Sequence, residues 1–259
     1  MAGAGTMNGK RQGRVTGVRA MSKPKMVAAA MAGLFLAACA SAPERPALAT
    51  LPAEAVAAGF ADAGAIVPDA ILDMRYAGDR NFTGGRVDGY GAPRCWLQRP
   101  AAEALARVAT DLRGEGLRLQ VFDCYRPARA VAHFMRWARD LEDQRTKAGY
   151  YPGLDKSTLV PDYIAERSGH SRGATIDLSL ARCDARGKCE LLDMGTPFDF
   201  FDTLANTDDP RTTPGQRANR QRLRQAMQRR GFTNYPMEWW HYTFKPEPAP
   251  DTYFDIPLE

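Results

Sequence analysis

The chain has 259 residues, 44% of them hydrophobic, enough to bury one sizeable core without calling for a second domain. Its formal charge of +5 is unevenly placed: Lys10, Arg11, Arg14, Arg19, Lys23 and Lys25 all precede Cys39 in a stretch without an acid, and the remainder carries 29 basic against 30 acidic side chains. A near-neutral body offers phosphates no concentrated basic face, which excludes nucleic acid as the expected partner.

In chain order, the first feature is a leader. Met21-Ser-Lys-Pro-Lys25 is basic, residues 26–38 are an uncharged apolar and small-residue run of 13, and Leu36-Ala-Ala-Cys39 closes it. A mature span needs roughly 20 apolar residues, so this run is too short and has the layout of a secretory signal. Met21 is a natural start for it. The ending resembles the bacterial lipoprotein cleavage box, which implies acylation of Cys39 and, with Ala40 next, an outer-membrane destination. A plain cleaved signal or a membrane-anchoring helix is the alternative. Residues 40–66, rich in Ala and Pro without sustained apolar period, read as a tether, leaving 67–259 as the folded domain.

Within the domain, residues 71–76 read as a strand, followed by a Gly-rich loop over 81–90. Pro100 opens a helix to Arg113 with Ala101, Leu105, Val108 and Leu112 on one face, stopped by Gly114 and Gly116. Residues 117–123 alternate as a strand, and Tyr125-Arg-Pro127 turns the chain into a helix over 128–141. Residues 146–168 read as an ordered loop over the site. A strand over 174–180, a tip at 183–189, a return strand over 190–194, a helix over 219–230 and an aromatic strand over 238–244 complete an α+β domain, helices gathered on a central antiparallel sheet.

Besides Cys39, four cysteines remain, an even number suited to two disulfides in an oxidising compartment. Four cysteines allow three pairings. A hairpin tip closed by Cys183 and Cys189, leaving Cys95 with Cys124, is preferred; a four-thiolate zinc site lacks the tight Cys-x-x-Cys spacing.

The chain has only three histidines. Two stand in acid-bearing clusters, Ser168-Gly-His-Ser-Arg-Gly-Ala-Thr-Ile-Asp177 and Glu238-Trp-Trp-His241. A zinc hydrolase needs three protein ligands that leave a fourth position to water, and a carboxylate to take that water's proton. His170, Asp177 and His241 meet the ligand requirement, one ion per chain, and Glu238 is the candidate base. In an extended strand Glu238 and His241 would start on opposite sides, so a bend or bulge is required. His133, in the helix carrying Phe134, Met135 and Trp137 with no acid or cysteine evidently placed beside it, reads as a packing or surface residue.

From about Val67 onward the chain resembles the D-alanyl-D-alanine dipeptidases of the vancomycin-resistance type, within the zinc D-Ala-D-Ala metallopeptidases. The resemblance rests on Arg75-Tyr-Ala77, Asn81-Phe-Thr-Gly84, Val87-Asp-Gly-Tyr90, Asp123-Cys-Tyr-Arg-Pro127, Gly149-Tyr-Tyr-Pro152, His170-Ser-Arg-Gly173, Ile176-Asp-Leu178, Met194-Gly195, Phe198-Asp-Phe200 and Glu238-Trp-Trp-His241. It implies zinc on His170, Asp177 and His241, Glu238 as base and then acid, and Arg126 polarising the scissile carbonyl. It further implies Asp199 and Tyr76 near the substrate ammonium, and Ser168 and Tyr90 near its carboxylate.

The implied reaction is hydrolysis of the D-Ala-D-Ala dipeptide to two D-alanines. The leader and extra cysteines depart from cytoplasmic members and favour the periplasmic side of the envelope, with peptidoglycan turnover or D-alanine recovery as the role. The rival enzyme is a D,D-carboxypeptidase acting on longer peptides; a zinc-holding binding protein would have no need of Glu238, and a wall-anchoring structural lipoprotein would hold no zinc. The oligomeric state is left open.

Overall fold

The computed structural model describes residues 51–184 and 186–259. The leader, Cys39 and the first part of the expected tether lie outside the described residues. Among the described residues no helix is long and apolar enough to cross a membrane.

Residues 53–66, expected within the tether, are folded. Helix α1 (Ala53–Ala57), strand β1 (Phe60–Asp62) and helix α2 (Ala63–Ile66) follow one another, with Ala55, Phe60, Ala61 and Ala63 buried. Phe60 explains the difference: its ring packs 4.6 Å from Tyr125 and 5.2 Å from Phe254, centroid to centroid, partners distant in sequence and invisible to any local period. The expected strand over 71–76 shrinks to β2 (Ile71–Leu72), followed by a 3-10 turn at Arg75–Ala77.

Strand β3 (Trp96–Gln98) pairs antiparallel with β1 and leads into helix α3 (Arg99–Arg113), with Pro100 in its first turn. Leu105, Val108 and Leu112 are buried, and Ala101, Ala102 and Ala109 let the helix lie close to its neighbours. Strand β4 (Leu117–Asp123), helix α4 (Ala128–Arg139) and the short helix α5 (Lys147–Tyr150) follow. Strand β5 (Thr175–Cys183) turns back into β6 (Cys189–Leu191), helix α6 (Pro214–Gln228) crosses over, and β7 (Phe232–Asn234) and β8 (His241–Phe244) end the sheet.

The main sheet runs β2-β4-β5-β8-β7, with β6 added to β5. All pairings are antiparallel except the short parallel contact of β2 with β4. This is the expected α+β class. Two disulfides join Cys95 to Cys124 and Cys183 to Cys189.

Helix α6 starts five residues before the sequence-based start at Asn219. Thr213 accepts a hydrogen bond from Gln216 N while its own N–H donates to Gln216 Oε1, a reciprocal cap followed by Pro214 in the first turn. Such a cap is worth about 1 kcal/mol, enough to draw a polar turn into the helix.

Arg220 of α6 is fully buried. Its guanidinium donates to the carbonyls of Met194 (2.7 Å), Asn206 (2.7 Å) and Leu204 (3.0 Å), tying the helix to the 194–206 segment that carries Asp199. Replacing Arg220 by Met keeps much of the volume but leaves these carbonyls without that donor, so denaturant unfolding is expected to show a loss of about 3 kcal/mol or more.

Candidate active site

Cross-strand register builds the site. Asp177 of β5 stands opposite Asp123 of β4 on one side and His241 of β8 on the other. Directly opposed residues share a sheet face, so the three form a row. Asp123 joins it through a bulge: Val121 pairs with Leu178 and Asp123 with Asp177, leaving Phe122 as the extra residue. Without that insertion, period-2 alternation would put Asp123 on the face of Val121 instead.

His170 comes from the 3-10 turn Gly169–Arg172, which precedes β5 and ends on Gly173 at φ 77°, a left-handed position suited to glycine. Ser168 Oγ caps this turn by accepting from His170 N. His170 Nδ1 lies 2.6 Å from the carbonyl oxygen of Cys124. A carbonyl only accepts, so Nδ1 carries the proton and the Nε2 lone pair faces inward. There Nε2 is 3.2 Å from Asp177 Oδ2 and 3.3 Å from His241 Nδ1, while His241 Nδ1 is 3.1 Å from Asp177 Oδ1.

The ligand-type atoms of His170, Asp177 and His241 all fall within 4.8 Å of one another. Asp177 Oδ1 is buried and accepts no hydrogen bond. A buried carboxylate oxygen without a donor, facing two imidazoles, fits a bound cation. Burial opposes ionisation of Asp177, but the two histidines outweigh it and hold the carboxyl well below its usual range.

The required bend is present. β8 begins only at His241; before it, Glu238 N donates to Tyr235 O and His241 N to Glu238 O, while Asn234 Nδ2 donates to the carbonyls of Glu238 and His241. This turn brings Glu238 Oε2 to 3.3 Å from His241 Nδ1. Burial pushes the Glu238 carboxyl up to about 7, opposed by His241 and reinforced by the Asp177 charge. A carboxylate near neutrality can both take and return a proton.

Arg126 projects beside this group. Its Nε and Nη2 lie 3.0 and 2.9 Å from Asp123 Oδ2, Nη2 is 3.7 Å from Asp177 Oδ2, and Nη1 is 3.4 Å from Ser168 Oγ. The guanidinium also lies over the rings of Phe134 and Tyr76 at 5.0 and 5.2 Å. Held on one side by a fully buried carboxylate, it leaves part of its donor fork toward the cavity.

That cavity, about 370 Å³, is at the small end of the range for small-molecule sites. Tyr76, Arg126, Ser168, His170, Asp177, Asp199, Glu238 and His241 all line it. Tyr76 Oη donates to Asp199 Oδ2 at 2.8 Å, and Asp199 sits at φ 60°, an uncommon backbone region for a non-glycine residue. Burial raises the Asp199 carboxyl well above its usual range, with Asp177 adding to the effect. A cationic group beside Asp199 would relieve that cost.

Tyr90 departs from expectation. It is absent from the cavity wall and buried, with its hydroxyl donating to Asp123 Oδ1 at 2.6 Å. It supports the partner of Arg126. His133 lies near the surface and outside the cavity wall, as its packing-or-surface reading expects, but it has an acid partner: Asp88 Oδ1 lies 3.1 Å from Nδ1. Asp123 was given no role from sequence, although one buried acid ending an otherwise largely apolar strand was a readable signal. Tyr163, Phe201 and Tyr235 of the cavity wall were likewise missed, since nothing local marks a loop aromatic as facing a site.

A cation-ready triad with a proton-accepting carboxylate at its side is the arrangement of a metal-dependent hydrolase. The family model described as D-Ala-D-Ala dipeptidase, of the peptidase M15 group, matches residues 56–259. The chain belongs to that family. A D-alanyl-D-alanine dipeptidase of Streptomyces coelicolor is 42% identical over 200 residues, covering 77% of this chain and 98% of that protein. One from Enterococcus faecium is 40% identical over 202 residues, 78% and 98% of the two chains, and one from Escherichia coli is 32% identical over 184 residues, 70% and 82%.

His170→Ala and Asp177→Ala are expected to lose stoichiometric divalent metal on dialysis while Glu238→Gln and His133→Ala retain it, read by elemental analysis of the purified proteins. Equal metal in all four would contradict the ligand assignment.

Proposed function

We propose that the chain is a zinc-dependent dipeptidase that hydrolyses D-Ala-D-Ala, with one ion held by His170, Asp177 and His241. The observation that carries this reading is the juxtaposition of Glu238 with the triad, because a site that only bound metal would need no proton acceptor there. Zinc, when bound, acidifies water and polarises a carbonyl. Glu238 Oε2 then removes the proton from the attacking water and delivers it to the departing amine nitrogen. Arg126, fixed by Asp123, meets the negative charge that develops on the carbonyl oxygen.

At the ends of the substrate, Asp199 with Tyr76 receives the ammonium, and Ser168 the carboxylate. The cavity is small, and Asp199 is buried within its wall. A buried carboxylate pairs best with a free ammonium, which an acylated longer peptide lacks. This favours the dipeptide over carboxypeptidase action on longer chains.

The setting proposed is the periplasmic side of the envelope, with Cys39 lipidated and the outer membrane as the anchor. The signal-like run over 26–38 and two disulfides among the described residues support an oxidising compartment. Peptidoglycan turnover or D-alanine recovery suits an enzyme there.

The purified protein is expected to release D-alanine from D-Ala-D-Ala only with zinc present, and Glu238→Ala to abolish release while metal stays bound. Wild type that holds zinc yet leaves the dipeptide intact would refute the substrate. Arg126→Ala is expected to lower kcat by about 10²–10³, the loss of roughly 3–4 kcal/mol seen when one oxyanion donor is removed. An effect confined to KM would refute its role in the transition state.

A further inference from the structure

We infer that the Cys95–Cys124 disulfide is a positioning device for the metal site, acting on His170 through the Cys124 carbonyl. This rests on His170 being a metal ligand, as proposed above.

The carbonyl that fixes the tautomer of His170 belongs to one of the bridged half-cystines, at 2.6 Å from Nδ1. Cys124 follows the end of β4, past the bulge, where the sheet no longer holds the chain in register. Before it stands Asp123, which anchors Arg126, and two residues after it Arg126 itself, whose N–H donates to the His170 carbonyl at 3.4 Å. A shift of this short segment would therefore move the orienting carbonyl and the guanidinium together.

The other half-cystine, Cys95, opens a strap that grips both parts of the site. Tyr125 N donates to Trp96 O at 2.9 Å, and Gln98 N donates to Gly173 O at 2.7 Å, at the end of the His170 turn. Ala63 N donates to Cys95 O at 2.9 Å, fixing the strap to the start of α2. The bridge thus locks the segment carrying the orienting carbonyl onto the strap that holds the imidazole turn. The Cys183–Cys189 bridge closes the β5–β6 hairpin, and neither of its cysteines lines the cavity. It serves as an internal control.

Groups that orient a metal-bound imidazole typically govern metal affinity by 10- to 100-fold. The test measures zinc dissociation constants by chelator competition, and the visible spectrum of the cobalt-substituted protein, for the full chain and two double variants. Cys95→Ala/Cys124→Ala is expected to keep its circular dichroism but bind zinc about 10- to 100-fold more weakly with an altered cobalt spectrum, whereas Cys183→Ala/Cys189→Ala stays within about twofold of wild type. A Cys95→Ala/Cys124→Ala protein that folds only when zinc is added would support the same coupling, because metal binding and folding are linked. A folded variant with unchanged affinity and spectrum would overturn the inference, as would one that stays unfolded at saturating zinc, since the bridge would then be purely structural. Wild type that binds no zinc would overturn this inference together with the proposed function; the variant results bear on the inference alone.

Discussion

The register of β5 between β4 and β8 is the constraint on which the site depends. Asp177 faces His241 across one strand boundary and Asp123 across the other. A slip of one residue on either side would turn the partner to the opposite face. Apolar side chains oppose such a slip: Ile176, Leu178 and Leu180 alternate with the polar residues of β5 and are fully buried. The hydrophobic core thereby fixes the position of the polar row on the other face of β5. The bulge at Phe122 is the one local departure from the pattern, and it delivers Asp123 to the row.

Placing Asp177, Asp199 and Glu238 on the wall of one cavity, with Asp123 next to Asp177 in the sheet, concentrates negative charge in a buried volume, and the fold offsets it unequally. Asp123 is met by Arg126 and the Tyr90 hydroxyl, and Asp177 by two imidazoles, one oxygen remaining without a donor. Asp199 is met by the Tyr76 hydroxyl and, behind it, by the charge of Arg126, and Glu238 chiefly by His241. The groups left under-compensated are those proposed to meet a cation, a substrate ammonium and a transferred proton. The well-compensated one, Asp123, has a positioning task. Uneven neutralisation thus distinguishes scaffold from chemistry within one cluster of acids.

Much of this is legible in the chain because its signals are local. The triad and Glu238 stand in two short motifs, and α3 and β4 carry clear periods, so their bounds differ from the sequence reading by at most one residue. What was missed depends on distant partners. Phe60 folds a supposed tether by meeting Tyr125 and Phe254, and β3 and β7 are three-residue strands too short for a period. Tyr90 differs because a motif gives the order of residues and not which of them reaches a cavity. The start of α6 was missed although its reciprocal cap was readable at Thr213 and Gln216.

The proposal at the centre of this reading is that Asp177 and His241, set side by side by strand register, and His170, brought to them by its turn, hold one zinc ion with an open position. X-ray absorption at the zinc edge of the purified full chain tests it most directly. A first shell of two imidazole nitrogens and two oxygens, one from carboxylate and one from water, at about 2.0–2.2 Å, with no sulfur, is the expected result. A shell containing sulfur at about 2.3 Å, or one without imidazole scattering, would contradict it.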